Sequence, residues 1–236
     1  MKLIIRSSIM MFICLLFIQD GISQNFLQPT NSFSRKKPAY ITLKNGKEIE
    51  AEFRSVKTKK GLFTKIWVAD ESSKKKEILA EDVQHMYLPA SSWDKMEKAF
   101  DMDLTTADDD YSLNQELVKD GYAYFETVEV MTKKKKRTAL MQLLNPAYAH
   151  KVRVYHNPWA TETAGLNYGG VKLTGGDTKS FYVKVGDKIA FLIKKKDYSK
   201  LFKELYGDCK DFIDSRKKPR WKDFEEDVYE HAKACN

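Results

Sequence analysis

Residues 40–53 read Tyr40-Ile41-Thr42-Leu43-Lys44-Asn45-Gly46-Lys47-Glu48-Ile49-Glu50-Ala51-Glu52-Phe53. Tyr40 to Leu43 alternate, and Ile49, Ala51 and Phe53 alternate on the far side of Asn45-Gly46. Asn-Gly between alternating runs is a strong two-residue hairpin signal, because both central residues tolerate positive φ. Three more runs follow: Leu62 to Val68, Lys76 to Leu79, and His85 to Leu88, which Pro89 stops. Glu81-Asp82-Val83 suits one helical turn before the last of them. Five short strands with that turn predict a small SH3-like or Sm-like β-barrel over residues 39–90, since closure removes exposed edges.

Downstream, residues 91–120 read as a helix and an acidic linker. Ser91-Ser92-Trp93-Asp94 caps a short helix with Trp93, Met96 and Phe100 on one face, and Asp101, Asp103 and Asp108 to Asp110 follow. Residues 121–195 predict an antiparallel β-sheet or sandwich. Its strands include Tyr122 to Val130, Ala139 to Leu144, Val152 to Tyr155, Phe181 to Val183 and Ile189 to Ile193, with glycine-marked turns. The run Lys133 to Arg137 forms a solvated hairpin tip.

Residues 196–236 switch to helical period. Asp197 caps a helix bearing Tyr198, Leu201, Phe202, Leu205 and Tyr206, and Gly207 ends it. Asp208 caps a second helix, and Pro219 begins a third with Trp221, Phe224, Val228, Ala232 and Cys235 on one face. The fold class is therefore α+β, mainly β, with a C-terminal helical tail packed on the second β region.

Upstream, residues 1–23 have the form of a signal peptide. Lys2 and Arg6 precede the apolar run Ile9 to Ile18, and Gly21 and Ser23 are the small residues before a cleavage at Gln24. The run is too short to span a bilayer. Ile13 before Cys14 argues against lipidation, which wants a small residue there. Residues 24–38 then form a flexible N-terminal segment. Cleavage would leave two cysteines, Cys209 and Cys235, in an oxidising compartment. Cys209 begins the second C-terminal helix and Cys235 ends the third, so antiparallel fold-back sets them side by side for a disulfide. The alternative is a redox or metal-binding pair, which lacks CxxC spacing.

The full chain has 236 residues, 42% hydrophobic and 12% aromatic, enough for a core and against wholesale disorder. With one apolar run, multiple membrane spans are excluded. No nucleophile elbow, zinc-binding helix or phosphate loop occurs. His150 and His156 flank one strand about 20 Å apart, too far to share a metal. With a carboxylate such as Glu162 they are the residues of a hydrolase alternative. The aspartate run lacks the donors of a calcium loop. No cofactor, metal or catalytic residue is assigned. The loop region after residue 155 offers binding candidates Tyr155, His156, Trp159 and Tyr168, because function favours loops on rigid scaffolds.

The net charge is +8, and +7 without residues 1–23. Of 41 basic residues only seven are arginine. Base-reading sites lean on arginine forks, so specific nucleic-acid recognition is not expected. Lysine-driven polyanion binding is a further alternative, marked by a contiguous lysine face and salt sensitivity.

The Gln after the leader, Tyr40 to Leu43 with Asn45-Gly46, and Met86-Tyr87-Leu88-Pro89 resemble a family of exported proteins of the Bacteroidota. So do Val154-Tyr155-His156-Asn157-Pro158, Ser180 to Lys184, Lys195 to Tyr198, and Trp221 to Phe224 with the two late cysteines. The resemblance implies export to the periplasm or cell envelope and a barrel-like opening segment, and transfers no site. The expectation is a non-catalytic exported interaction or structural module with an envelope protein or a polyanion as partner.

Overall fold

The Asn45-Gly46 hairpin forms, with one more loop residue than that dipeptide alone requires. β1 (Pro38–Leu43) pairs antiparallel with β2 (Glu48–Lys59). Leu43 N–H donates to the Lys47 carbonyl and Gly46 N–H to the Leu43 carbonyl. Residues 44–46 thus make a three-residue loop, with Gly46 left-handed at φ +81°. The two-residue turn stands instead at Lys60-Gly61, between β2 and β3 (Leu62–Ala69), where Lys59 faces Leu62. Both its central residues have positive φ, +52° and +75°.

This computed structural model describes residues 26–30, 32–69, 74–91, 113–132, 135–160, 167–168, 171–172 and 178–235. The leader, the Trp93 helix, the aspartate run, Glu162 and the paired glycines lie outside them.

β4 (Lys75–Leu79), a 3₁₀ turn at Ala80–Asp82 and β5 (Val83–Pro89) follow in the expected order. The barrel expected over residues 39–90 does not close. β4 pairs β3, while β5 pairs β1 on one side and β6 (Tyr122–Thr132) on the other. The free edge that closure would have sealed is covered by a later strand. One ten-stranded sheet results, ordered β4-β3-β2-β1-β5-β6-β12-β11-β8, with β7 (Lys135–Gln142) on the other edge of β6. Here β8 is Val152–Tyr155, β11 is Ser180–Val185 and β12 is Ala190–Lys194. Between β8 and β11, β9 (Asn167–Tyr168) and β10 (Val171–Lys172) pair as a separate ribbon.

The expectation of a purely antiparallel second region is also corrected: β12 runs parallel to β6, with Ala190 opposite Val130. The cause is the length of β6. Its eleven residues outrun β5, which pairs only Tyr122 to Glu126, so the same edge accepts β12 from Val130 onward. The end of β7 and the chain after it also bond β8 and its following residue, through Leu144 N–H to the Val154 carbonyl and His156 N–H to the Gln142 carbonyl.

β8, β11 and β12 pack against neighbours on both faces. Val152, Val154, Phe181, Val183 and Ile193 pack on the C-terminal helices, while Tyr155, Tyr182 and Ala190 pack inward on Tyr124, Val128 and Met141. A short helix that periodicity missed, α1 (Gln115–Lys119), covers Tyr87. Asn114 caps it, its side chain accepting from Leu117 N–H. The tail comprises α2 (Tyr198–Tyr206), α3 (Lys210–Ser215) and α4 (Phe224–Ala234). Tyr198, Phe202, Leu205 and Tyr206 are buried as the stripe predicts. Two caps differ. Asp197 precedes α2 without a side-chain cap bond, and Asp208 turns its carboxylate to His231 Nε2 (2.8 Å) and Lys151 Nζ (3.5 Å), leaving Cys209 at the cap. Cys209 and Cys235 are disulfide-bonded with Cα atoms 5.7 Å apart, so the fold-back reading holds.

The expected flexible segment at 24–38 is instead a packed strap from Phe26 on. The Phe26 ring meets Phe181 and Phe224 at 5.3 and 5.5 Å, and its N–H donates to Glu225 Oε2 (3.0 Å). Leu27 N–H donates to the Leu144 carbonyl and Ser34 N–H to the Pro89 carbonyl. Polar composition suggested mobility, but two phenylalanines, Phe26 and Phe33, anchor the segment. Among the described residues no helix is long and apolar enough to cross a membrane.

Candidate functional site: a basic groove at Trp159

Two lysine-rich segments far apart in sequence meet because β12 runs parallel to β6. Both strands end at the same edge of the sheet, so Thr132 and Lys135 of the β6–β7 hairpin stand beside Lys194, Lys195 and Lys196. β11 runs opposite to β12, with Ser180 facing Lys194, which brings Lys179 to the same end. Arg137 on β7 and Lys60 at the β2–β3 turn complete the rim of an open groove of about 1230 Å³. Its floor is Tyr182, Leu192 and Trp159. Seven cationic side chains and no carboxylate line it among the described residues.

Trp159 is 43% exposed, unusual for so large an apolar side chain. Its loop is nonetheless fixed. Asn157 Oδ1 accepts from Trp159 N–H (3.1 Å) while Asn157 Nδ2 donates to Ser180 Oγ (2.9 Å). Pro158 seats the β2–β3 turn: a Cβ added to Gly61 would stand 2.5 Å from Pro158 Cβ. Only glycine permits this approach at that φ. A second cavity of about 760 Å³ adjoins the first and shares Lys60, Arg137 and Trp159. It adds Lys44 and Lys59, with Glu81 its one acid. Trp159 thus lines both cavities.

Burial raises the Tyr182 hydroxyl above its ordinary range, with the Arg137 cation opposing the shift. The phenol therefore stays neutral and adds no negative charge to the floor.

The sequence candidates separate. Trp159 lies at the centre of the groove. Tyr155 is fully buried, its hydroxyl donating to Glu126 Oε1 (2.6 Å). Arg153 Nη1 holds both oxygens of that carboxylate at 2.8 and 3.0 Å, making Tyr155 part of an internal polar network. His156 lines a third cavity, of about 340 Å³, with Thr30, Gln142 and Phe125 and no carboxylate among the described residues. Burial lowers its pKa. Tyr168 lies in β9, across from Val171. His150 Nε2 meets the Ala232 carbonyl at 3.1 Å. His150 and His156 thus contact different parts of the molecule, and neither is brought to the groove. His231 and Asp208 do pair, but the imidazole is 1% exposed and burial keeps its pKa low despite the carboxylate. No group of three or more metal-ligating side chains occurs among the described residues.

Lys60, Lys179 and Lys194 were not legible as site residues. The runs Lys133 to Arg137 and Lys194 to Lys196 were visible, but only the parallel pairing joins them. No family model matches the chain, and neither a curated protein nor a solved structure matches it.

Proposed function

We propose that this is an exported, non-catalytic interaction module that holds an anionic polymer along the groove. The observation that carries this reading is the segregation of charge. Seven cations from four separate segments gather around one exposed tryptophan, with no carboxylate among the described lining residues. Overall charge does not require this, since the chain has 33 acidic residues against 41 basic ones. Like charges brought together repel and destabilise the fold unless an anion offsets them. Two basic cavities that meet at Trp159 favour an extended ligand over a compact one. The leader-like first 23 residues, the Cys209–Cys235 disulfide and the motif resemblance to exported proteins of the Bacteroidota support an envelope location.

The test is binding of heparin and of a single-stranded oligonucleotide over a salt series. Engagement of four to seven cations predicts a log–log salt slope of about −3 to −5 for the oligonucleotide. Reversing Lys135, Lys179 and Lys195 to glutamate should abolish binding to both. Reversing the exposed Lys203, Lys210 and Lys217 of the helical tail should leave most of it. Equal loss from the two triple variants would reduce the effect to net charge and defeat the proposal. Mass spectrometry of the exported chain tests the leader: an intact Met1 refutes cleavage.

A further inference from the structure

We infer that the polymer in the groove is single-stranded nucleic acid, bound without sequence preference by stacking a base on Trp159 while the lysines track phosphates. This rests on the anion-binding reading and narrows it by what the groove contains besides charge.

An acyl chain needs open hydrocarbon surface. The groove floor offers little beyond Trp159, because Tyr182 is 3% exposed and Leu192 half-buried; among the described residues the other exposed apolar side chain nearby is the small isobutyl of Leu79, in the adjoining cavity. An acidic glycan also stacks on tryptophan, but its hydroxyls need neutral polar partners. Those along the two cavities are mostly engaged within the protein. Asn157 bonds Ser180 and the Trp159 backbone. Thr132 Oγ1 donates to the Lys135 carbonyl, Thr127 Oγ1 to the Val83 carbonyl and Thr64 Oγ1 to the Lys57 carbonyl. What remains to a ligand is cationic charge and one flat ring.

That pairing matches the chemistry of an unpaired strand, which presents a phosphate per nucleotide and a π-face on every base. A duplex hides its base faces and gives Trp159 nothing to stack on. The scarcity of arginine agrees, since backbone tracking needs point charges and only base reading needs forks. The junction position of Trp159, shared by both cavities, lets the strand continue on either side of the stacked base.

The experiment titrates the oxidised chain with a fluorescein-labelled 20-nucleotide oligo(dT). Parallel titrations use an abasic 20-mer of equal phosphate number, a 20-base-pair duplex, heparin and anionic phosphatidylglycerol vesicles. The expected result is quenching of tryptophan fluorescence and oligo(dT) affinity above the abasic strand by roughly five- to 150-fold, the range for one stacked base. Trp159→Ala should erase that difference and the quench while leaving the salt slope, and Trp159→Phe should restore part of it. Because the ring is exposed, both variants should melt near the parent. Abasic and natural strands binding alike overturns the inference and leaves the anion-binding reading standing. So does duplex, heparin or vesicle binding as tight as oligo(dT) and indifferent to Trp159. Failure of every polyanion to bind overturns both.

Discussion

Lys60 separates stability from function at a single position. It is the one described non-glycine residue with positive φ, +52°, and it occupies the first place of a two-residue turn. A left-handed conformation costs an ordinary L-residue about 1–2 kcal/mol, and asparagine bears it best. Lys60→Asn should therefore stabilise the fold by about 1 kcal/mol, raising Tm by roughly 2–4 °C for a chain of this size. The same change removes one of the seven groove cations. The salt slope for a single strand should become shallower by about 0.7. Lys60→Gln is the control, because it removes the charge and keeps the backbone cost: its slope should match that of Lys60→Asn without the rise in Tm. Calorimetric melting and salt titrations of the three proteins read both quantities. A lower Tm in Lys60→Asn would refute the strain argument. An unchanged slope in both variants would show that Lys60 does not face the ligand.

Replacing Cys209 and Cys235 together by alanine opens a 26-residue separation, worth about 3.5 kcal/mol in the chain-entropy model, and should lower Tm by roughly 7–14 °C. A loss of only a degree or two would place the clasp's contribution in the native helices instead. Phe26→Ala removes a ring packed on Phe181 and Phe224 and should cost about 3–5 kcal/mol, read by urea unfolding; near-neutrality would mean the strap does not anchor the tail. Burial lowers the pKa of His85, His156 and His231 from the ordinary 6.5. The folded state then holds fewer protons than the unfolded chain, so this stability is complete above pH about 6.5 and lost as pH falls through the lowered values. Urea midpoints should drop between pH 7.5 and 5, less so in His231→Gln; midpoints that rise on acidification would contradict the assignment.

Local pattern carried most of the strand and helix positions, because alternation and the helical stripe are written within a dozen residues. Val152 to Tyr155 and Tyr198 to Tyr206 lie where the periods place them. The pairing of distant strands was not so written. The β5 edge could be sealed by β4 or by β6, and nothing in residues 83–89 distinguishes these; the long apolar β6 decides it. The parallel β6·β12 contact is likewise invisible, and with it the groove. Tyr155 shows the converse failure. Its position beside a loop suggests an accessible aromatic, yet its hydroxyl has an internal carboxylate in Glu126, 29 residues upstream on β6. Trp159 is legible as an accessible aromatic because it lies in the loop region after β8, and it is 43% exposed.

The placement of acids argues that the groove is more than excess lysine. On β2, Glu48, Glu50 and Glu52 are exposed on one face, and on β3 and β4 Lys65 pairs with Glu77 at 2.6 Å. Mixed signs are thus interspersed where a surface only needs solvation. At the groove the pattern breaks, and it breaks where the backbone also departs from its easiest conformation, at Lys60. Local rules fail together mainly where something other than stability fixes the residues. Mutual repulsion of seven cations and a left-handed lysine both weaken the free protein, and the aromatic packing of the helical tail on β11 and β12 offsets part of that cost. A bound polyanion would relieve the first cost, so under the proposed function binding and stability should rise together.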